Sequence, residues 1–163
     1  MDPIFEKVLA DKAGRPGQII IAEEPWSYGT GRSAIALAVL GTATYRIQVQ
    51  GDADFLIEKT AFFADLAGAA VTEQTRVVPN ITAQVFYTGS KTLWSIAQPI
   101  DSVFGRGSLP FIWSRPFLIP AASLMEIAVL SFEAVSTPFL SFSFHGRKIY
   151  WGKPEQRTMR RTR

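Results

Sequence analysis

Thr44-Tyr45-Arg46-Ile47-Gln48-Val49-Gln50 alternates apolar and polar side chains without a break. A strand sends successive side chains to opposite faces, so Tyr45, Ile47 and Val49 share one face and Arg46, Gln48 and Gln50 the other. One apolar and one wet face is the signature of an antiparallel sheet over a core. The pattern recurs at Asn80–Thr88, where Ile81, Ala83, Val85 and Tyr87 oppose Thr82, Gln84 and Phe86. It recurs again at Pro138–Phe144, with Leu140, Phe142 and Phe144 on one side and Phe139, Ser141 and Ser143 on the other.

Further strands are expected around these three. Gln18–Ala22 is a short β-branched run, Phe55–Phe63 follows the turn Gly51-Asp52-Ala53-Asp54, and Ser123–Phe132 precedes the linker Ser136-Thr137-Pro138. Thr88-Gly89-Ser90 reads as a hairpin loop into Lys91–Ser95. Ser33–Leu40 is apolar, and periodicity leaves it open between strand and helical turn. Between Pro99 and Pro120 four further turn-formers, Gly105, Gly107, Pro110 and Pro116, interrupt the chain. Because proline lacks a ladder donor, this segment reads as a long ordered loop, packed down by Phe104, Phe111, Ile112, Trp113, Phe117 and Leu118. At the start, Phe5, Val8 and Leu9 recur at helical spacing behind Pro3, and Gly14-Arg15-Pro16-Gly17 ends the helix.

Short strands at roughly ten-residue intervals, with no βα alternation, predict an all-β fold: an antiparallel, jelly-roll-like β-sandwich. The expected organisation is an N-terminal arm or short helix over 1–17, a sandwich domain over 18–150 and a basic C-terminal tail over 151–163. The chain has 163 residues, enough for one core without staples.

Composition narrows the chemistry. With no Cys and one His, thiolate sites, disulfides and multi-histidine zinc sites are excluded. No uncharged stretch reaches the ~18 residues that span a bilayer as a helix. His145, in Phe144-His145-Gly146-Arg147-Lys148, reads as a structural histidine at a turn beyond a strand end, since a nucleophile's base needs partners the sequence does not place. Gly29-Thr30-Gly31-Arg32 and Gly105-Arg106-Gly107 lack the continuation of a phosphate loop. Asp52, Asp54 and Glu58 lack the oxygen ladder of a calcium loop and read as a turn. The expectation is therefore no enzyme, with no catalytic residue, cofactor or metal.

Two features remain. From Arg147 to Arg163 there are seven basic residues and one acid, Glu155, so a strongly positive end follows a net-negative body. A solvated tail ranks first, docking on an acidic partner surface second and nucleic acid third, because aromatic interleaving for base stacking is missing beyond Trp151. The second feature is aromatic mass: 12 Phe, 4 Trp and 4 Tyr, with Arg106 and Arg115 in the ring-rich segment. Rings and arginines are enriched where proteins meet. The expected protein interface is Phe104, Arg106, Phe111, Trp113, Arg115, Phe117 and Trp151, with Arg157, Arg160 and Arg161 of the tail.

The order of Val103-Phe104-Gly105-Arg106-Gly107, Leu109-Pro110-Phe111, Arg115–Pro120, the strand Leu124–Phe132 and Phe142–Tyr150 resembles small β-sandwich virion proteins of tailed bacteriophages. Those proteins decorate or cement capsids, or build collars at the head–tail junction. The resemblance spans roughly residues 44 to 150 and carries over no binding residues. It implies a structural role in the virion, assembled in the host cytoplasm. The implied partners are other copies of this chain as a homo-oligomer and the major capsid, portal or collar proteins; the residues themselves argue for no membrane and rank nucleic acid last. The principal alternative is a carbohydrate-binding sandwich, with Trp26, Trp94 or Trp113 stacking on sugar rings. An enzyme using Glu23 with Asp101 ranks third.

Overall fold

The computed structural model describes residues 3–31, 37, 40–65, 79–88, 91–107, 109–133 and 139–153. The elements are α1 (Pro3–Lys12), β1 (Ile19–Gly29), β2 (Thr42–Gln48), β3 (Asp54–Asp65), β4 (Ile81–Tyr87), β5 (Lys91–Thr92), β6 (Gln98–Pro99), α2 (Ile100–Val103), β7 (Gly105–Arg106), β8 (Phe111–Ile119), β9 (Leu124–Ser131) and β10 (Phe139–Gly152). One sheet runs β1-β10-β3, with β7 and β8 both along the far edge of β3. The other runs β2-β9-β4, with β5 and β6 along the far edge of β4. The long strands alternate between the sheets along the chain, and the last long strand lies between the first and third. This is the jelly-roll connection of a double-sheet sandwich.

The alternating segments behave as their patterns predict. Tyr45, Ile47, Ile81, Val85, Leu140, Phe142 and Phe144 are buried between the sheets with Phe55, Ile57, Phe62 and Ile127. Strand β3 departs from strict alternation. Phe55 and Ile57 face the core, and so do Phe62 and Ala64, which have the opposite parity. The switch occurs at Glu58, which both neighbours skip: Ile57 pairs with Gly146 and Phe117, Lys59 with His145 and Ile112. An extra residue in one strand is a β-bulge, and it exchanges the two faces beyond it.

Four expectations change. Phe111–Ile119 is an edge strand paired to β3, not loop, although Trp113–Pro116 bow away opposite Glu58. Pro116 therefore sits where no ladder donor is needed. β1 runs on through Glu23-Glu24-Pro25 to Gly29, because its far edge pairs with no described strand. β10 passes through His145-Gly146 without turning, so His145 is an exposed residue in mid-strand, its ring 3.1 Å from the Ser143 hydroxyl. Gly146 is required there by close approach: a Cβ would lie 1.8 Å from the Leu56 carbonyl oxygen. Trp151, assigned to the tail, belongs to β10 opposite Ile20. Most of Ser33–Leu40, and the tail beyond Lys153, lie outside the described residues; Leu37 is in the core.

α1 lies on the outer face of the first sheet. Leu9 joins Ile20, Leu56 and Ile149 in a second small core, flanked by Phe5, Leu118 and Trp151. A ten-residue helix is marginal alone in water. Burying Leu9 contributes roughly 2 kcal/mol, so packing rather than propensity sustains it. Glu6 also accepts the Ile20 N–H at 2.6 Å. The N-terminal segment is thus folded onto its own sheet rather than projecting as an arm. No described helix is long and apolar enough to cross a membrane.

The buried carboxylate of Asp54 joins the corners of this arrangement. It accepts from Trp151 Nε1 at 2.6 Å, the Ala121 N–H at 2.7 Å, and Arg15 Nε and Nη2 at 3.2 and 3.3 Å. Replacing Asp54 by Ala leaves a buried N–H and an indole without their acceptor. Asp54→Ala is expected to cost about 3 kcal/mol in urea unfolding. Gly146→Ala is expected to lower the melting temperature more than Gly107→Ala, because a Cβ at Gly107 meets nothing within 4 Å.

Candidate interaction surface

The rings of the 104–118 segment are divided between the sandwich core and the surface. Phe104 is fully buried, 4.9 and 5.6 Å from the ring centres of Phe142 and Phe144. It is core, not interface. Trp151 is likewise committed inward through Asp54 and the second core. Trp113 is half-buried, stacked on Trp94 at 6.0 Å, and donates its indole N–H to Thr60 Oγ1. Trp94 donates to the Ala83 carbonyl and meets Phe104 edge-on at 5.9 Å.

Phe111 touches Trp113 edge-on at 5.6 Å and is itself at the surface. Beside it Leu109 is 77% and Ile112 66% exposed. A continuous ring ladder, Phe111–Trp113–Trp94–Phe104, therefore leads from this apolar surface to the sandwich core. Edge-to-face and offset contacts of this kind contribute about 1 kcal/mol each beyond area burial. Arg106, next to this cluster, and Arg115, at the bowed part of β8, are exposed and form no ion pair with a described residue. Phe117 is half-buried against Tyr87 at 5.3 Å. Of the expected interface, the structure leaves Phe111 and Arg106 at the surface beside Leu109, places Arg115 and Phe117 further along β8, withdraws Phe104 and Trp151, and uses Trp113 as a support. Arg157, Arg160 and Arg161 lie outside the described residues. Leu109 and Ile112 were not among the expected interface residues; Ile112, expected to help pack the segment down, is instead exposed on β8 opposite Lys59.

A groove of about 550 Å³ opens further along β8, where Phe117 and Arg115 meet Val8 and Lys12 of α1 and Tyr87 of the opposite sheet. A second depression, about 540 Å³, is shallow and open over Trp26, Glu58, Lys59 and His145. Trp26 carries the Lys148 ammonium 4.1 Å from its ring centre. Trp94 and Trp113 stack on each other and Lys148 covers one face of Trp26, so each of the three has one ring face occupied within the chain.

The carboxylates near the turn after β2 are each matched to a different partner. Arg147 binds Glu58, with Nε at 2.8 Å, and also reaches Glu23. Asp54 is held as described. Asp52 accepts from the buried Lys148 at 2.8 Å, and Tyr150 reaches both Asp52 and Glu24. Burial opposes the charge on Lys148, yet the hydrogen bond and field of Asp52 outweigh it and hold its pKa above the ordinary lysine value. The Lys148 hydrogen bond in turn holds Asp52 below the ordinary carboxylate value. Among the described residues no three acidic or histidine side chains converge as a metal site. Glu23, the one half of the weighed acid pair, is taken up by Arg147.

No protein-family model matches this sequence, and no curated protein or solved structure matches it significantly.

The Lys148–Asp52 contact sets a pH window. A depressed Asp52 contributes stability above its unfolded pKa of about 4, lost as pH falls through the lower folded value; a raised Lys148 contributes below about 10, lost as pH rises through its folded value. Urea midpoints of wild type and Asp52→Asn are expected to differ by a constant amount from about pH 5 to 9. The gap should close below the folded pKa of Asp52. A gap that persists at strongly acid pH would remove the pair from the account.

Proposed function

We propose that this chain is a non-enzymatic structural protein that stabilises a larger particle through protein–protein contacts. Following the resemblance in its second half, the particle is a tailed-phage virion, with this protein as a capsid cement, decoration or collar component. Its partners are then further copies of itself and capsid, portal or collar proteins. One observation carries the reading: Leu109, Phe111 and Ile112 each present an apolar side chain to water, and Phe111 is anchored to the core by a ladder of packed rings. A cluster of that kind marks an interaction site. Its rigid support lowers the ordering cost of binding. The exposed Arg106 adds the polar rim that contact surfaces carry. The jelly roll itself supports the reading only weakly, since capsid and lectin domains share it.

The test is assembly. Wild-type protein is expected to form oligomers in sedimentation velocity or to co-sediment with capsid shells. The double variant Leu109→Ser/Ile112→Ser should stay folded and lose at least tenfold in affinity. A strictly monomeric wild type with no affinity for shells would overturn the proposal. So would a Trp26-dependent fluorescence shift with oligosaccharide in a protein that fails to assemble.

A further inference from the structure

The groove beside β8 has an uncommon construction. Five consecutive β8 residues, Ser114 to Leu118, line it. Of these, Phe117 packs toward the first core and its neighbour Leu118 toward the second, so a cavity touched by both straddles the strand's edge. Its two walls agree with that. α1 stands on the outer face of the first sheet and contributes Val8 and Lys12, while Tyr87 comes from the second sheet on the inner side. Between the walls runs the free edge of β8, which at Phe117–Ile119 pairs with β3 on its other side and with no described strand here; the bowed residues before it, with Pro116 lacking an N–H, lie outside that ladder. An edge of this kind is a template for another strand. At the rim, Lys12 and Arg115 both lack an ion-pair partner among the described residues.

We propose that this groove accepts an extended, carboxylate-bearing segment of a partner protein as an added β-strand. Main-chain hydrogen bonds to the β8 edge provide the affinity common to strand addition. Alternate residues of the added strand share one face, so the segment's apolar side chains lie against the Tyr87 wall and its acidic ones on the α1 side. Its acidic side chains meet Lys12 and Arg115, which selects against basic segments. The chain's own C-terminal tail, rich in arginine, is of the wrong sign. The inference shares one premise with the assembly reading, that the protein works by protein contact, but it uses a different surface.

The probe is a fluorescein-labelled seven-residue peptide alternating Val and Glu, followed by polarisation and by amide exchange on the full chain. Saturable binding is expected, with slowed exchange confined to the amides of residues 114, 115 and 117–119. Lys12→Glu/Arg115→Glu should weaken it about tenfold or more. A probe N-methylated at alternate residues, which cannot form the ladder, should not bind. The proposal is overturned if the Val/Glu peptide fails to bind, or if a Val/Lys peptide of the same length or the N-methylated probe binds equally well. Leu109→Ser/Ile112→Ser should bind the probe normally. That result with an unassembled wild type would sustain the groove while sinking the apolar-cluster reading; assembly without probe binding would do the reverse.

Discussion

One buried carboxylate holds the corner on which the two cores depend. Asp54 opens β3, yet its acceptors are spent on the α1–β1 connection through Arg15, the β8–β9 turn through Ala121 and the end of β10 through Trp151. A charge this deep is tolerable only when its lone pairs are occupied. Those four donor atoms come from chain segments far apart in sequence, and the carboxylate is satisfied only when all are in place. The helix that covers the first sheet and the sheet itself therefore share one polar anchor as well as Leu56 and Ile149.

Much of the sandwich was legible because three segments alternate cleanly and each has one dry face. β2, β4 and β10 follow from Tyr45/Ile47, Ile81/Val85 and Phe142/Phe144 with little else needed. β8 was not legible, for a physical reason. Proline excludes a residue from a ladder, but Pro116 sits in the bow opposite Glu58, so the strand survives around it. The same holds for Pro25 on an edge strand. Gly146 resembled a turn glycine; its smallness instead serves the approach of Leu56 across the sheet.

The candidate surface was legible in composition and not in detail. A ring-rich segment announces packing, but Phe104 and Phe111 are equivalent until the fold places one at the end of α2 in the core and the other at the surface at the start of β8. Leu109 and Ile112 carry no signal beyond being apolar near prolines. The groove wall from α1 was hidden for a similar reason: a ten-residue amphipathic piece shows that it has a buried stripe, not where it lies. The ion pairs of Arg147 and Lys148 depend on strand partners more than 80 residues away, a distance over which spacing says nothing.

The extra residue at Glu58 sets sidedness for the rest of β3. Upstream, odd-numbered residues point into the sandwich; downstream, Phe62 and Ala64 do. Shortening the chain by one position there would smooth the ladder and, like a slipped reading frame, evert every later side chain of the strand. Phe62 would meet water and Phe63 would be driven inside. Length at that point constrains the protein more tightly than the identity of the amino acid that occupies it.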